Sequence, residues 1–113
     1  METPNDSHPL PAVIAAYWAA ANAGRVADAA ACFAPEAVVQ DEGQRHVDSA
    51  AIAAWITATT QKYHPVVTPL RCEEKSGRTH VAARVSGSFP GSPLEFEFVF
   101  SLRADRIAEL AIA

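Results

Sequence analysis

The feature that most narrows the fold of this chain is the strict alternation from Leu94 to Leu102. Phe96, Phe98, Phe100 and Leu102 share one face of this stretch, and Glu95, Glu97, Val99 and Ser101 share the other. A strand with so apolar a face is one wall of a layered structure, and apolar material must cover it. The first half of the chain supplies the cover. Val13, Ile14, Tyr17, Trp18 and Ala21 recur at helical spacing, and so do Ile52, Trp55, Ile56, Thr59 and Tyr63.

Punctuation between these stripes sets the element order. Pro11 suits the start of the first helix, and Gly24 its left-handed cap. A short second helix is predicted from about Val26 to Cys32, then a strand from Ala37 to Asp41, a turn at Gly43 and a short return strand over Arg45–Val47. Asp48 or Ser49 is placed to cap the third helix, which His64-Pro65 ends. The remainder reads as strands, Val66–Glu73, Thr79–Ser88, Leu94–Leu102 and Ile107–Ile112, with Phe89-Pro90-Gly91-Ser92-Pro93 as a turn segment. Helices grouped before strands predict an α+β layer fold, its curved, mostly antiparallel sheet wrapped around three helices of the N-terminal half. Residues 1–8 are polar and read as a flexible arm, leaving 9–113 as one domain.

Composition excludes several classes. The net charge is −4, and the arginines and lysines of the second half are scattered among acids, so no nucleic-acid partner is expected. No apolar run approaches the roughly 20 residues needed to cross a bilayer, so no membrane partner is expected. Cys32 and Cys72 read as free thiols buried in the core, which points to a reducing, cytoplasmic setting. The four histidines show no metal-ligand spacing with either cysteine, and phosphate loops and serine elbows are missing, so neither metal nor cofactor is expected.

Asp41 is the residue around which function is to be sought. An acid at the end of an apolar strand is costly unless it is paired, hydrated or kept for chemistry. It can act as a general base or acid with its pKa raised by apolar neighbours, or simply as a solvated or backbone-capping acid beside Gly43. By strand alternation, Glu42 is expected to point away. The Tyr17 phenol can donate to a developing oxyanion or be a core residue, and His46 can pair with Asp41 or reach the pocket mouth. The walls are assigned to Trp18, Phe33, Val39, Trp55, Tyr63, Phe89, Phe96, Phe98 and Phe100, which suit a small apolar ligand.

The runs Tyr17-Trp18-Ala19-Ala20-Ala21-Asn22-Ala23-Gly24 and Phe33-Ala34-Pro35-Glu36-Ala37-Val38-Val39-Gln40-Asp41, with Ala51-Ile52 to Trp55 and the strand-rich second half, resemble the nuclear-transport-factor-2-like superfamily. The small SnoaL-like and ketosteroid-isomerase-like members are most similar. The resemblance implies a cone-shaped fold and either cofactor-independent isomerase or polyketide-cyclase-like chemistry, or a non-catalytic binding module. It further implies a homodimer through the outer sheet face. In the isomerases the pocket holds a helix tyrosine, a base aspartate ending the first strand and a protonated aspartate on a late strand. The resemblance carries the first two onto Tyr17 and Asp41. The third falls near Phe98, which leaves the base filled and the second acid missing.

Overall fold

A computed structural model describes residues 9–113 of the chain, so the arm expected over residues 1–8 lies outside the described residues. The elements are α1 (Ala12–Asn22), α2 (Val26–Ala30), β1 (Phe33–Asp41), β2 (Gln44–Val47), α3 (Ser49–Tyr63), β3 (Val66–Lys75), β4 (Arg78–Ser86), β5 (Leu94–Arg103) and β6 (Arg106–Ile112). All strands join one sheet in the order β2-β1-β6-β5-β4-β3. Every pairing is antiparallel except β1 with β6, which is parallel. The architecture is α+β, with the helices in the N-terminal half.

Local chemistry accounts for the element ends. Gly24 sits at φ 76°, which frees the Arg25 amide to reach the Ala20 carbonyl at 2.8 Å and the Gly24 amide to reach Ala21 at 3.0 Å. This pair of bonds closes α1 by satisfying carbonyls that its last turn leaves open. Asp48 caps α3, its Oδ1 accepting from the Ala51 amide at 3.0 Å. At the other end His64 takes a left-handed conformation, and Pro65 cannot continue the helix. α2 is shorter than expected: Cys32 stands beyond it and is half-buried rather than in the core, its thiol directed at the Asp28 carbonyl.

The phenylalanine face lies where alternation put it. Phe98 and Phe100 are buried against α1, while Glu95 and Glu97 remain outside. Trp18 stands edge-on to both rings, with centroids 5.2 Å and 5.6 Å away. On the neighbouring strand Thr79, Val81, Ala83 and Val85 are buried, and the register sets Val81 beside Phe98 and Thr79 beside Phe100. On the outside, Arg71 pairs with Glu95 at 3.4 Å and His80 meets Glu97 at 2.9 Å. Ile14, Ile52, Ile107, Leu110 and Val39 fill the space between helices and sheet.

Candidate functional site

At the open end of this layer is a cavity of about 250 Å³, floored by the sheet and roofed by α1 and α3. That is near the lower end of the roughly 300–1,000 Å³ typical of ligand pockets. Asp41, the last residue of β1, contributes its carboxylate from the floor. The indole of Trp55, on the inner stripe of α3, donates from Nε1 to Asp41 Oδ2 at 3.0 Å. Burial raises the Asp41 pKa above the ordinary carboxylate value, and the adjacent Glu42 charge adds to this. The Trp55 bond and the charge of His46 work in the opposite direction, and burial outweighs them.

Tyr17 reaches the same cavity from α1. Its ring stands edge-on to Phe33 at 5.1 Å, which fixes the phenol's orientation. Burial first, then the Asp41 charge, then Cys32, push its pKa far above that of free tyrosine, so the phenol keeps its proton at any physiological pH. No hydrogen bond engages its hydroxyl among the described residues. Tyr17 and Asp41 are therefore brought together, the one as a held donor and the other as an acid with a shifted titration.

Trp18, Trp55, Tyr63, Phe89, Phe96 and Phe98 line the cavity. Phe33, Val39 and Phe100 do not. They are buried in the core behind it, at 3%, 0% and 0% exposure. Expected in the wall, they lie instead in the core between helices and sheet. Trp18 lines the cavity while its Nε1 is buried without a hydrogen-bond partner.

His46 lies outside the cavity. β2 pairs it opposite Val39, and its ring faces Trp55 at 6.0 Å. It borders a neighbouring depression that shares Asp41, Glu42, Trp55, Thr59 and Tyr63 with the cavity, and no hydrogen bond joins it to Asp41 among the described residues. Trp55 has taken the place next to the acid that His46 was expected to occupy.

Glu42 is the residue that alternation misplaced. It is no longer part of β1: Glu42 and Gly43 both have positive φ, 53° and 74°, and form the two-residue turn that joins Asp41 to Gln44. The turn brings the Glu42 carboxylate to the cavity mouth, where Oε2 accepts from the Tyr63 hydroxyl at 2.9 Å. A second carboxylate thus borders the cavity from the hairpin next to Asp41, while Phe98 stands on the late strand. The pairing of β1 and β2 through an E-G turn was the signal available in the sequence.

Tyr63 also meets Phe89 edge-on at 5.9 Å. Beneath them the chain passes very close. The Ser88 amide donates to the Tyr63 carbonyl at 2.7 Å, and a Cβ on Gly87 would fall 2.6 Å from that same oxygen. Among the described residues, no group of three or more His, Cys, Asp or Glu is gathered as a metal cage, and no helix is long and apolar enough to cross a membrane.

Comparison with known proteins places this geometry. The sequence model of the SnoaL-like domain matches residues 14–110. A solved structure from Sinorhizobium meliloti, of a protein proposed to be a polyketide cyclase, is 36% identical with a TM-score of 0.88, covering 92% of this chain and 95% of that one. A protein with a ketosteroid isomerase-like fold from Catenulispora acidiphila, solved in complex with trimethylamine, is 17% identical with a TM-score of 0.80, covering 93% and 86%. A protein from Xanthomonas campestris, also proposed as a polyketide cyclase, is 19% identical with a TM-score of 0.75, covering 88% and 85%. No curated protein matches the chain at a significant level. The family match over most of the sequence and the close relative in structure carry one conclusion: this chain belongs to the SnoaL-like family.

Proposed function

We propose that this chain is a cofactor-independent enzyme that moves a proton on a small, apolar, carbonyl-containing substrate, in a reaction of the isomerase, cyclase or dehydratase kind. The observation that carries the reading is one cavity shared by a half-buried carboxyl of raised pKa and a phenol held protonated. Ionised Asp41 removes a proton from the carbon next to the carbonyl, and the C–H electron pair moves toward the carbonyl oxygen. Tyr17 donates a hydrogen bond to that oxygen as it gains charge. Asp41 then returns the proton, either to a different carbon, completing an isomerisation, or to a leaving oxygen. The Trp55 bond keeps the carboxylate from rotating away between the two transfers.

A small ketone with acidic α-hydrogens, 2-tetralone, tests the reading. The protein should accelerate exchange of those hydrogens for deuterium in D2O, followed by NMR. Asp41→Asn should lower the acceleration about 10²–10⁴-fold with the fold intact by circular dichroism. An unchanged exchange rate in Asp41→Asn would sink it.

A second reading is favoured by Phe98, which puts a phenyl ring where the isomerase pattern has an acid: the cavity then binds an apolar ligand without turnover. In that case Asp41→Asn leaves ligand affinity intact. The outer face of β3, β4 and β5, with Val66 47% exposed among its charged residues, is read as the contact between two copies of the chain. Light scattering that gives the mass of one chain would refute the homodimer.

A further inference from the structure

We infer that the guest of this cavity carries a protonated amine, seated on Glu42 at the mouth and enclosed by aromatic faces, while its apolar body lies toward Asp41. The inference rests on the pocket reading above and adds the ligand's charge to it.

Seven of the eighteen residues lining the cavity are aromatic, and its charged residues are two carboxylates, Asp41 and Glu42. No lysine, arginine or histidine lines it. A wall of this kind presents the negative faces of π-systems together with fixed anions, the two groups that attract an organic cation out of water. It would repel a carboxylate or phosphate guest.

The hydrogen-bonding capacity of the wall is weighted toward acceptors, with the Tyr17 and Thr60 hydroxyls among its remaining donors. Asn22 lines the cavity, but its amide is consumed by β3, donating to the Val67 carbonyl at 3.0 Å and accepting from the Val67 amide at 2.9 Å. The Thr59 hydroxyl is turned back on its own helix, donating to the Trp55 carbonyl at 3.0 Å. The carboxylates, by contrast, have oxygens to spare. Asp41 receives Trp55 on Oδ2 and the Glu42 amide besides, and Glu42 receives Tyr63 on Oε2, so both carboxylates keep lone pairs to spare, Glu42 a whole oxygen. A guest rich in donors at one end and apolar elsewhere matches this inventory.

Position assigns the two acids different parts. Asp41 is half-buried at the end of β1 and braced by Trp55. Glu42 is exposed, on the turn at the mouth, where Tyr63 holds it and Phe89 flanks Tyr63. An ammonium seated on Glu42 keeps part of its hydration and costs less to place than one buried at Asp41. The cation of Lys62 is felt by Glu42, but among the described residues no ion pair joins them. Its Nζ lies 5.1 Å from the centroid of the Tyr63 ring, and the residue borders the neighbouring depression rather than the cavity.

The test uses two soluble probes of similar size, 2-phenylethylammonium and 2-phenylethanol, titrated by calorimetry at pH 7 and low salt. The wild-type protein should bind the ammonium about tenfold or more tightly than the alcohol. Glu42→Gln, a near-isosteric change at an exposed turn, should remove most of that preference, weakening the ammonium about tenfold more than the alcohol. Equal or weaker binding of the ammonium by wild type overturns the inference, as does the failure of both probes to bind. A preference lost in Asp41→Asn but kept in Glu42→Gln overturns the assignment of the seat. The tetralone exchange experiment stands apart from these outcomes. Exchange without ammonium preference rejects the amine and keeps the proton-transfer reading, whereas ammonium preference without exchange does the reverse.

Discussion

The Trp55 indole donates from Nε1 to Asp41 Oδ2 at 3.0 Å, joining the middle of α3 to the last residue of β1. Trp55 is 8% exposed, so the bond lies in a region of reduced dielectric where a charged acceptor strengthens it. It does two things at once: it orients the acid and opposes the rise in pKa that burial causes.

Trp55→Phe keeps an aromatic ring and removes the donor. At a pH high enough to ionise Asp41, the loss should be about 2 kcal/mol in denaturant unfolding. At a pH low enough to protonate Asp41 the loss should be smaller. The acidic limb of any Asp41-dependent rate should move to higher pH, because the bond that favours the charged form is gone. An identical destabilisation at both pH values would show that Trp55 acts by packing alone.

The pH dependence of stability follows from the raised Asp41 pKa. The folded protein holds this proton more tightly than the unfolded chain, whose aspartates titrate at about 3.9. The contribution is therefore fully present below that value and is lost as pH rises through the higher, folded value. Asp41→Asn, neutral throughout, should consequently be more stable than wild type at pH 7. Its advantage should vanish on acidification below the unfolded value. Thermal unfolding of the two proteins across that window measures the difference.

Tyr17→Phe removes a hydroxyl that has no hydrogen-bond partner among the described residues and leaves the ring packing on Phe33 and Trp18. Stability should change by less than about 1 kcal/mol, because no bond is broken. Ketone exchange should fall roughly 10²-fold or more, the effect of losing an oxyanion donor. A large loss of stability with normal exchange would make Tyr17 a core residue and nothing more.

Gly87→Ala places a methyl group 2.6 Å from the Tyr63 carbonyl oxygen and 3.3 Å from the Pro65 Cα, both backbone atoms. The end of α3 must move to make room, at a cost of about 1–3 kcal/mol. Tyr63 and Phe89 move with it, so 2-phenylethylammonium should bind more weakly than the stability loss alone implies. Calorimetry well below the melting temperature separates the two effects.

Periodicity made the layers legible. Phe98 and Phe100 face α1, and the stripes on both long helices are the buried ones, because a side chain's face follows from its spacing alone. Depth does not follow from spacing. Phe100 and Phe98 share a face, yet one is sealed in the core and the other lines the cavity. Asp41 was legible as an acid ending an apolar strand, and Asp48 as a cap. Glu42 was not, because alternation applies only within a strand, and Glu42, at positive φ, stands one residue past the end of β1. His46 was misplaced for a related reason. Its register with Val39 was unreadable before the hairpin was known, and nothing in the chain near Asp41 signals that Trp55, on a later helix, fills the neighbouring position. The parallel pairing of β1 with β6 joins distant segments and leaves no local mark.

That pairing has a consequence for how the protein assembles. β1 has two sheet neighbours, the short β2 and the far later β6, whose Leu110 stands beside Val39 and Ala111 beside Gln40. The β1–β2 hairpin alone is too small to hold a fixed shape in water. Asp41 thus acquires its surroundings only when nearly the whole chain has looped back, an entropically late event. Partly folded forms would carry a normal, hydrated aspartate, and the altered acidity at this position would arise at the last step of closure. Proton affinity at Asp41 is in that sense a reporter of completed folding.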